Sequence, residues 1–270
     1  MKNRKIGLHT FMAVPAFALY CLFFIYPLTK GIGMSLTNWN GYGQAEFIGL
    51  KNFVDFFKDS RAISDIKTTV LFALGSAPLL NIVGLLYALL MNSKFKGKSV
   101  ARACIYMPAI ISSLIMGYIW YLLLQPGRGV IFNLLNQMGH PEWFPNWMSS
   151  YTSEIVVLVL VNVWQYAGMT MIIYLAGLQN ISQDLYDAAM IDGATGWQSF
   201  RFITLPLLVP SIRINVVTNI IGSLSVFDIV MSLTSGGPGY QTETLSIYIM
   251  RMCYGSKTGY STAVAMIMFL

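Results

Sequence analysis

Residues 155–183 read IVVLVLVNVWQYAGMTMIIYLAGLQNISQ and hold no Asp, Glu, Lys or Arg. A helix of about 20 apolar residues crosses a bilayer core of about 30 Å. The stretch is long enough for that crossing. Among its polar side chains, Gln165 and Tyr166 stand three and four positions after Asn162, which places them on one helical face. A helix with this pattern turns a greasy surface to lipid and a narrow polar stripe inward.

Outward from it, residues 11–29, 68–92 and 103–125 are equally free of charge. A fifth stretch, 202–235, is interrupted only by Arg213 and Asp228. A sixth begins near Tyr260 and stops at Leu270. Its residues span about 17 Å as a helix, against a core of about 30 Å, so the sixth span is expected to be cut short. The expectation is an all-α, polytopic membrane helix bundle of six transmembrane helices, forming one domain over residues 1–270. Buried helices of a soluble core are the other reading, and five full-length runs in so little charge speak against it.

Composition agrees. Of 270 residues, 56% are hydrophobic and 10% charged, where a soluble domain carries about 25% charged residues. Mean hydropathy is +0.60. This excludes a disordered chain, a collagen-like chain and a typical cytosolic enzyme. The net charge of +6 fits loops facing an anionic cytoplasmic leaflet rather than nucleic acid. Cys21, Cys104 and Cys253 are scattered and odd in number, so no disulfide framework is implied. His9 and His140 lack paired Cys–His spacing, and no metal or cofactor is expected. Ala16-Phe17-Ala18 imitates a signal cleavage site but lies inside the apolar run, which reads as an uncleaved first helix.

Lys2, Arg4 and Lys5 precede the first span, and Lys94, Lys96, Lys98 and Arg102 fill the connection after the second. Both connections are therefore expected on the cytoplasmic side, with the N-terminus inside. The first outer connection, 30–67, holds five Lys or Arg against Glu46, Asp55, Asp59 and Asp65, so orientation rests on charge density rather than raw count.

The connection between the fourth and fifth spans, 182–206, is an acidic hairpin. Ser182 is a candidate N-cap, and Asp184 and Asp187 sit in the first turns, where the helix dipole favours negative charge. Gly193 offers a C-cap, and Thr195 with Gln198 fits a capping box that opens a second short helix. The pair presents Leu185, Ala188, Ala189, Trp197 and Phe200, either back to the spans or to a soluble partner.

Asp187-Ala188-Ala189, Gly193 and Ile203-Thr204-Leu205-Pro206 resemble the cytoplasmic signature of permease subunits of binding-protein-dependent ABC importers. Phe227-Asp228-Ile229, Leu233-Thr234, Gly236-Gly237-Pro238, Leu175-Ala176-Gly177-Leu178 and Gly259-Tyr260-Ser261-Thr262-Ala263 resemble the carbohydrate branch, the maltose and glycerol-phosphate type. The resemblance covers essentially the whole chain. Asp187 departs from it, since the family usually carries Glu there, with one methylene more reach. The resemblance implies a type I ABC importer permease in a prokaryotic cell membrane. It implies a second homologous permease subunit, a cytoplasmic ATPase dimer and an extracytoplasmic solute-binding protein as partners, and a carbohydrate as cargo. It also implies that the hairpin couples to the ATPase through Asp187, Ala188, Ala189, Asp192 and Gly193.

Asn162, Gln165, Tyr166 and Met169 share a face of the fourth span; Asn215, Asn219, Gly222, Ser223 and Val226 largely share one on the fifth. Read from the residues alone, these faces suit helix–helix packing, each hydrogen bond giving about 1 kcal/mol or less. The resemblance implies instead that Asn162, Gln165, Tyr166, Met169, Asn219, Gly222, Ser223 and Val226 line the substrate path. Arg213 is placed to snorkel toward the cytoplasmic surface, and Asp228 to pair or cap near the outer end. The run 236–239 is turn chemistry expected to end the fifth span outside. Trp143, Phe144 and Trp147 read as an interfacial aromatic belt.

Enzyme signatures are lacking. Gly97-Lys98-Ser99 imitates the tail of a phosphate-binding loop, but Asn92 stands where its first glycine is required. Energy must then come from a partner's ATP hydrolysis. The competing classes are an ion-coupled secondary transporter, which would favour paired intramembrane carboxylates or broken helices in two repeats, and an ABC permease for a solute other than sugar.

Overall fold

The computed structural model describes residues 8–93 and 96–270. Lys2, Arg4, Lys5 and Lys94 of the orientation argument lie outside them. The helices run Leu8–Tyr20 (α1), Tyr26–Ser35 (α2), Lys51–Lys58 (α3), Ser60–Asn92 (α4) and Lys98–Ile110 (α5). Next come Ser113–Leu124 (α6), Val130–Gln137 (α7), Tyr151–Gln179 (α8), Gln183–Ile191 (α9) and Gly196–Ser199 (α10). The remainder are Leu205–Leu207 (α11), Val209–Leu224 (α12), Asp228–Leu233 (α13), Leu245–Tyr254 (α14) and Thr258–Phe269 (α15). The described residues contain no strand, only an isolated bridge between Thr37 and Phe47.

Among the described residues, three helices are long and apolar enough to cross a membrane: Ala13–Ser35, Ser60–Asn92 and Tyr151–Gln179. The expected third and fifth spans are bent pairs. α5 and α6 meet at 96°, and Gly196–Leu207 meets α12 at 67°. Pro108, Pro206 and Pro210 stand close to these breaks, where a missing N–H weakens the helical ladder. α15 is a shorter apolar helix of 12 residues. The fifth stretch also ends earlier than its apolarity suggests. α12 stops at Leu224, and Asp228 opens the separate α13 before the glycine turn.

Two compact units are present, Met1–Ile63 with Leu245–Leu270, and Ser64–Thr244. In the first, Gly259 donates its N–H to the Trp39 carbonyl at 2.7 Å. A Cβ at Gly259 would lie 2.2 Å from the Thr37 carbonyl oxygen, so only glycine permits this approach. Asn52 donates to the Ser35 and Thr37 carbonyls at 2.8 Å each. Asp59 accepts from Tyr248 at 2.6 Å and from the Arg61 and Ala62 amides at 2.9 and 3.3 Å. Burial pushes its carboxyl up, but these bonds and one from Tyr260 outweigh it, holding the group below the usual carboxylate value.

In the second unit α8 is the central post. Its Leu158, Met171 and Tyr174 are fully or nearly fully buried. Ala88, Met91, Leu175, Leu178 and Leu208 join Met171 and Tyr174 in one apolar cluster. Close approach at small residues builds the rest. A Cβ at Gly168 would sit 2.3 Å from the Ile105 carbonyl, one at Gly84 2.5 Å from Thr170, and one at Gly117 1.8 Å from the Ser232 hydroxyl. Small residues permit this spacing between helices in a membrane, where backbone contact replaces the hydrophobic drive.

Candidate functional site: a polar-lined cavity and an exposed hairpin

Where a helix breaks inside apolar surroundings, its freed backbone groups need partners. Gln165, fully buried on α8, donates to the Ile111 carbonyl at 3.1 Å and to the Ser113 hydroxyl at 3.4 Å, next to the α5–α6 break. Thr244 donates to the Val226 carbonyl at 3.0 Å at the α12–α13 break. With both breaks held open, α8, α12 and α13 enclose a cavity of about 470 Å³.

From α8 it is lined by Asn162, Tyr166, Met169, Thr170 and Ile173; from α12 by Asn215, Thr218, Asn219, Gly222 and Ser223. Val226, Phe227, Asp228 and Ile229 close it at the second break, with Ser113 and Leu80 at the edge. Seven of the eight expected path residues therefore share one space. Gln165 is the exception, its amide turned to the broken backbone. Asn162 lines the cavity while donating to Ser76 on α4 at 2.6 Å.

The polar lining is tied together. The Tyr166 and Ser113 hydroxyls share a hydrogen bond. Thr170 and Asn219 exchange bonds at 3.3 Å, and Asn215 donates to the Thr170 carbonyl at 3.3 Å. Two acceptors remain over. Asn215 Oδ1 and Ser223 Oγ have no partner among the described residues, although Asn215 is fully buried and Ser223 is 3% exposed. An unsatisfied buried polar atom costs about 1–3 kcal/mol.

Thr170, Thr218, Ser113 and Phe227 were missed by the face argument. Thr170 lies four residues beyond Tyr166, so the same period reaches it. Ser113 and Phe227 sit at helix breaks, which an apolar run does not announce.

The hairpin follows its caps. Ser182 accepts from the Asp184 amide at 3.3 Å and starts α9. Gly193 takes φ +78°, and the Asp192, Gly193 and Ala194 amides donate back to Ala188, Met190 and Ala189 carbonyls, closing α9. Thr195 and Gln198 form the reciprocal capping box, at 2.7 and 3.3 Å. Tyr186 and Thr204 hydroxyls, 2.9 Å apart, tie α9 to the returning chain. Asp187, Ala188, Asp192 and Gly193 are exposed and Ala189 half-buried. Met190, Ile191 and Trp197 add bare apolar surface at 69%, 86% and 66% exposure.

Residues 80–270 match the family described as binding-protein-dependent transport system inner membrane component. The probable starch degradation products transport system permease protein AmyD of Thermoanaerobacterium thermosulfurigenes is 34% identical over 247 residues, 91% of this chain and 83% of that one. The trehalose/maltose transport system permease protein MalF of Thermococcus litoralis is 31% identical over 271 residues, 100% of this chain and 91% of that one. Among solved structures, a chain of a bacterial ABC transporter involved in import of the acidic polysaccharide alginate superposes with a TM-score of 0.81. The two are 26% identical, and the match covers 98% of this chain and 90% of that one. The chain thus belongs to the inner-membrane components of binding-protein-dependent transport systems: it has the type I fold of an ABC importer permease, and it is a transport subunit rather than an enzyme.

Proposed function

We propose that this permease moves a carbohydrate across the inner membrane through the cavity between α8 and α12. A sugar offers a ring of hydroxyls and a weakly apolar face. Asn162, Thr218 and Asn219 can meet the hydroxyls, and Tyr166 and Phe227 can meet the face. The gathering of these polar and aromatic side chains on one cavity wall is the observation that carries the reading. The printed descriptions of the relatives, starch degradation products and trehalose/maltose, support it.

A second, related permease completes the path, and an extracytoplasmic binding protein delivers the solute. One relative of the fold was solved with an alginate pentasaccharide-bound periplasmic protein. Two ATPase subunits engage the hairpin through the exposed surface of Asp187, Ala188, Ala189, Asp192 and Gly193, so the N-terminus and the hairpin lie on the cytoplasmic side. Nucleotide-driven closure of the ATPases then draws the hairpins together and exposes the cavity alternately to the two sides.

The test is purification of the intact complex with its solute, followed by mass analysis, together with cross-linking from Ala188→Cys. A bound glycan and a cross-link to an ATPase subunit are expected. A solute without sugar, or a hairpin reached only from the outer side, overturns the proposal.

A further inference from the structure

The cavity carries some polar groups but almost no charge. Among the described residues that line it, Asp228 alone carries a charge. Its side chain is exposed, and no ion pair to it is present among the described residues. Most of the remaining wall is aliphatic, aromatic or small, including Leu80, Met169, Ile173, Val226 and Ile229. A cleft with low-dielectric walls and one sign of charge concentrates that charge's field in its interior. Charged side chains facing a transport path reject like-charged solutes in the same way.

We propose that Asp228 makes this cavity selective for uncharged cargo and disfavours anionic cargo such as uronates. This rests on the carbohydrate reading of the cavity. A chain with the same helical scaffold belongs to a transporter that imports an acidic polysaccharide. The helical scaffold is shared, so discrimination between neutral and acidic glycans falls to the lining. Asp228 acts there by position. It stands at the α12–α13 break, at the start of α13, and lines the opening.

The expected size follows from Coulomb's law. Across a cavity about 10 Å wide, one carboxylate separates a cation from an anion about fourfold at the dielectric of water, and more in a drier site. Gly222 gives a place to measure it. A Cβ there meets nothing within 4 Å, so Gly222→Cys sets a thiol in open space on the cavity wall. In the assembled transporter the thiol is labelled with a cationic or an anionic methanethiosulfonate, and modification is read by mass on the peptide holding position 222. Rates are normalised to a free thiol.

The cation-to-anion rate ratio is expected to fall about fourfold when Asp228→Asn is added. A neutral oligosaccharide should protect the thiol in both backgrounds, and a uronate oligosaccharide only with Asp228→Asn. An unchanged rate ratio, or equal protection by the uronate with Asp228 intact, overturns the proposal. Failure of the neutral oligosaccharide to protect, with the rate ratio still shifted, instead sinks the carbohydrate reading. Absence of labelling with and without ATP removes position 222 from the path and overturns both.

Discussion

The hairpin at 182–206 and the cavity between α8 and α12 are built in opposite ways. In the hairpin the bonds that set the helix ends are local: Ser182 to Asp184, Thr195 to Gln198, Gly193 back to Met190. In the cavity they join residues 49, 53 and 86 positions apart, as Thr170 to Asn219, Ser113 to Tyr166 and Asn162 to Ser76. Exposure is reversed too. The hairpin leaves Met190 and Ile191 bare, whereas the cavity buries Asn215 and Ser223. A segment that shapes itself can offer its apolar atoms to something else. A polar site in a membrane depends on helices brought together from afar.

The sharpest way to break this contrast is at its two glycines. Gly168→Leu drives a side chain into the Ile105 backbone, whose carbonyl is 2.3 Å from a Cβ at that position. Overpacking against backbone costs about 1–3 kcal/mol or more. The expected result is loss of monodisperse complex on size-exclusion chromatography. At Gly193 a Cβ meets nothing within 4 Å, so Gly193→Asp bears only the local backbone strain of its φ of +78°. It, or Ala188→Asp on the same exposed surface, should leave the complex assembled while uptake into vesicles falls to background. Normal uptake by both would contradict the hairpin's coupling role.

A smaller effect sharpens the cavity side. Asn219→Leu removes the bonds to Thr170, about 1 kcal/mol in a membrane setting, and one polar group from the wall. Assembly should persist while uptake drops several-fold with an altered solute concentration dependence. Unchanged solute dependence would return this face to packing alone. The smallest effect is at the hairpin's second cap. Thr195→Ala removes one partner of the capping box and costs about 1 kcal/mol locally. Hydrogen exchange at 196–198 should quicken about fivefold, by the conversion of that energy at room temperature, with uptake largely kept.

Equal apolarity does not mean equal surroundings, as two spans demonstrate. Ala13–Ser35 has none of its most apolar window buried, while Tyr151–Gln179 has 61% of its window buried. Both read as membrane helices from the sequence. The small residues of α8, such as Gly168 and Gly177, hint at its packed role, since each faces another helix so closely that a Cβ would clash. Gln165 teaches the converse. Its spacing with Asn162 and Tyr166 groups it with the path, but a carbonyl freed by the α5–α6 break captures its amide.

By itself the sequence determined the helical spans and the caps of the hairpin, because apolar length and side-chain-to-backbone bonds act within a few residues of chain. Only the tertiary structure decided that two of the spans bend, that Asp228 begins a new helix inside the cavity wall, and which polar groups stay unpaired. Those outcomes depend on what lies opposite each freed backbone group and each glycine, and neighbours brought from 50 or more positions away, such as Ser113 to Tyr166 and Asn162 to Ser76, are set by packing rather than by any local pattern of residues.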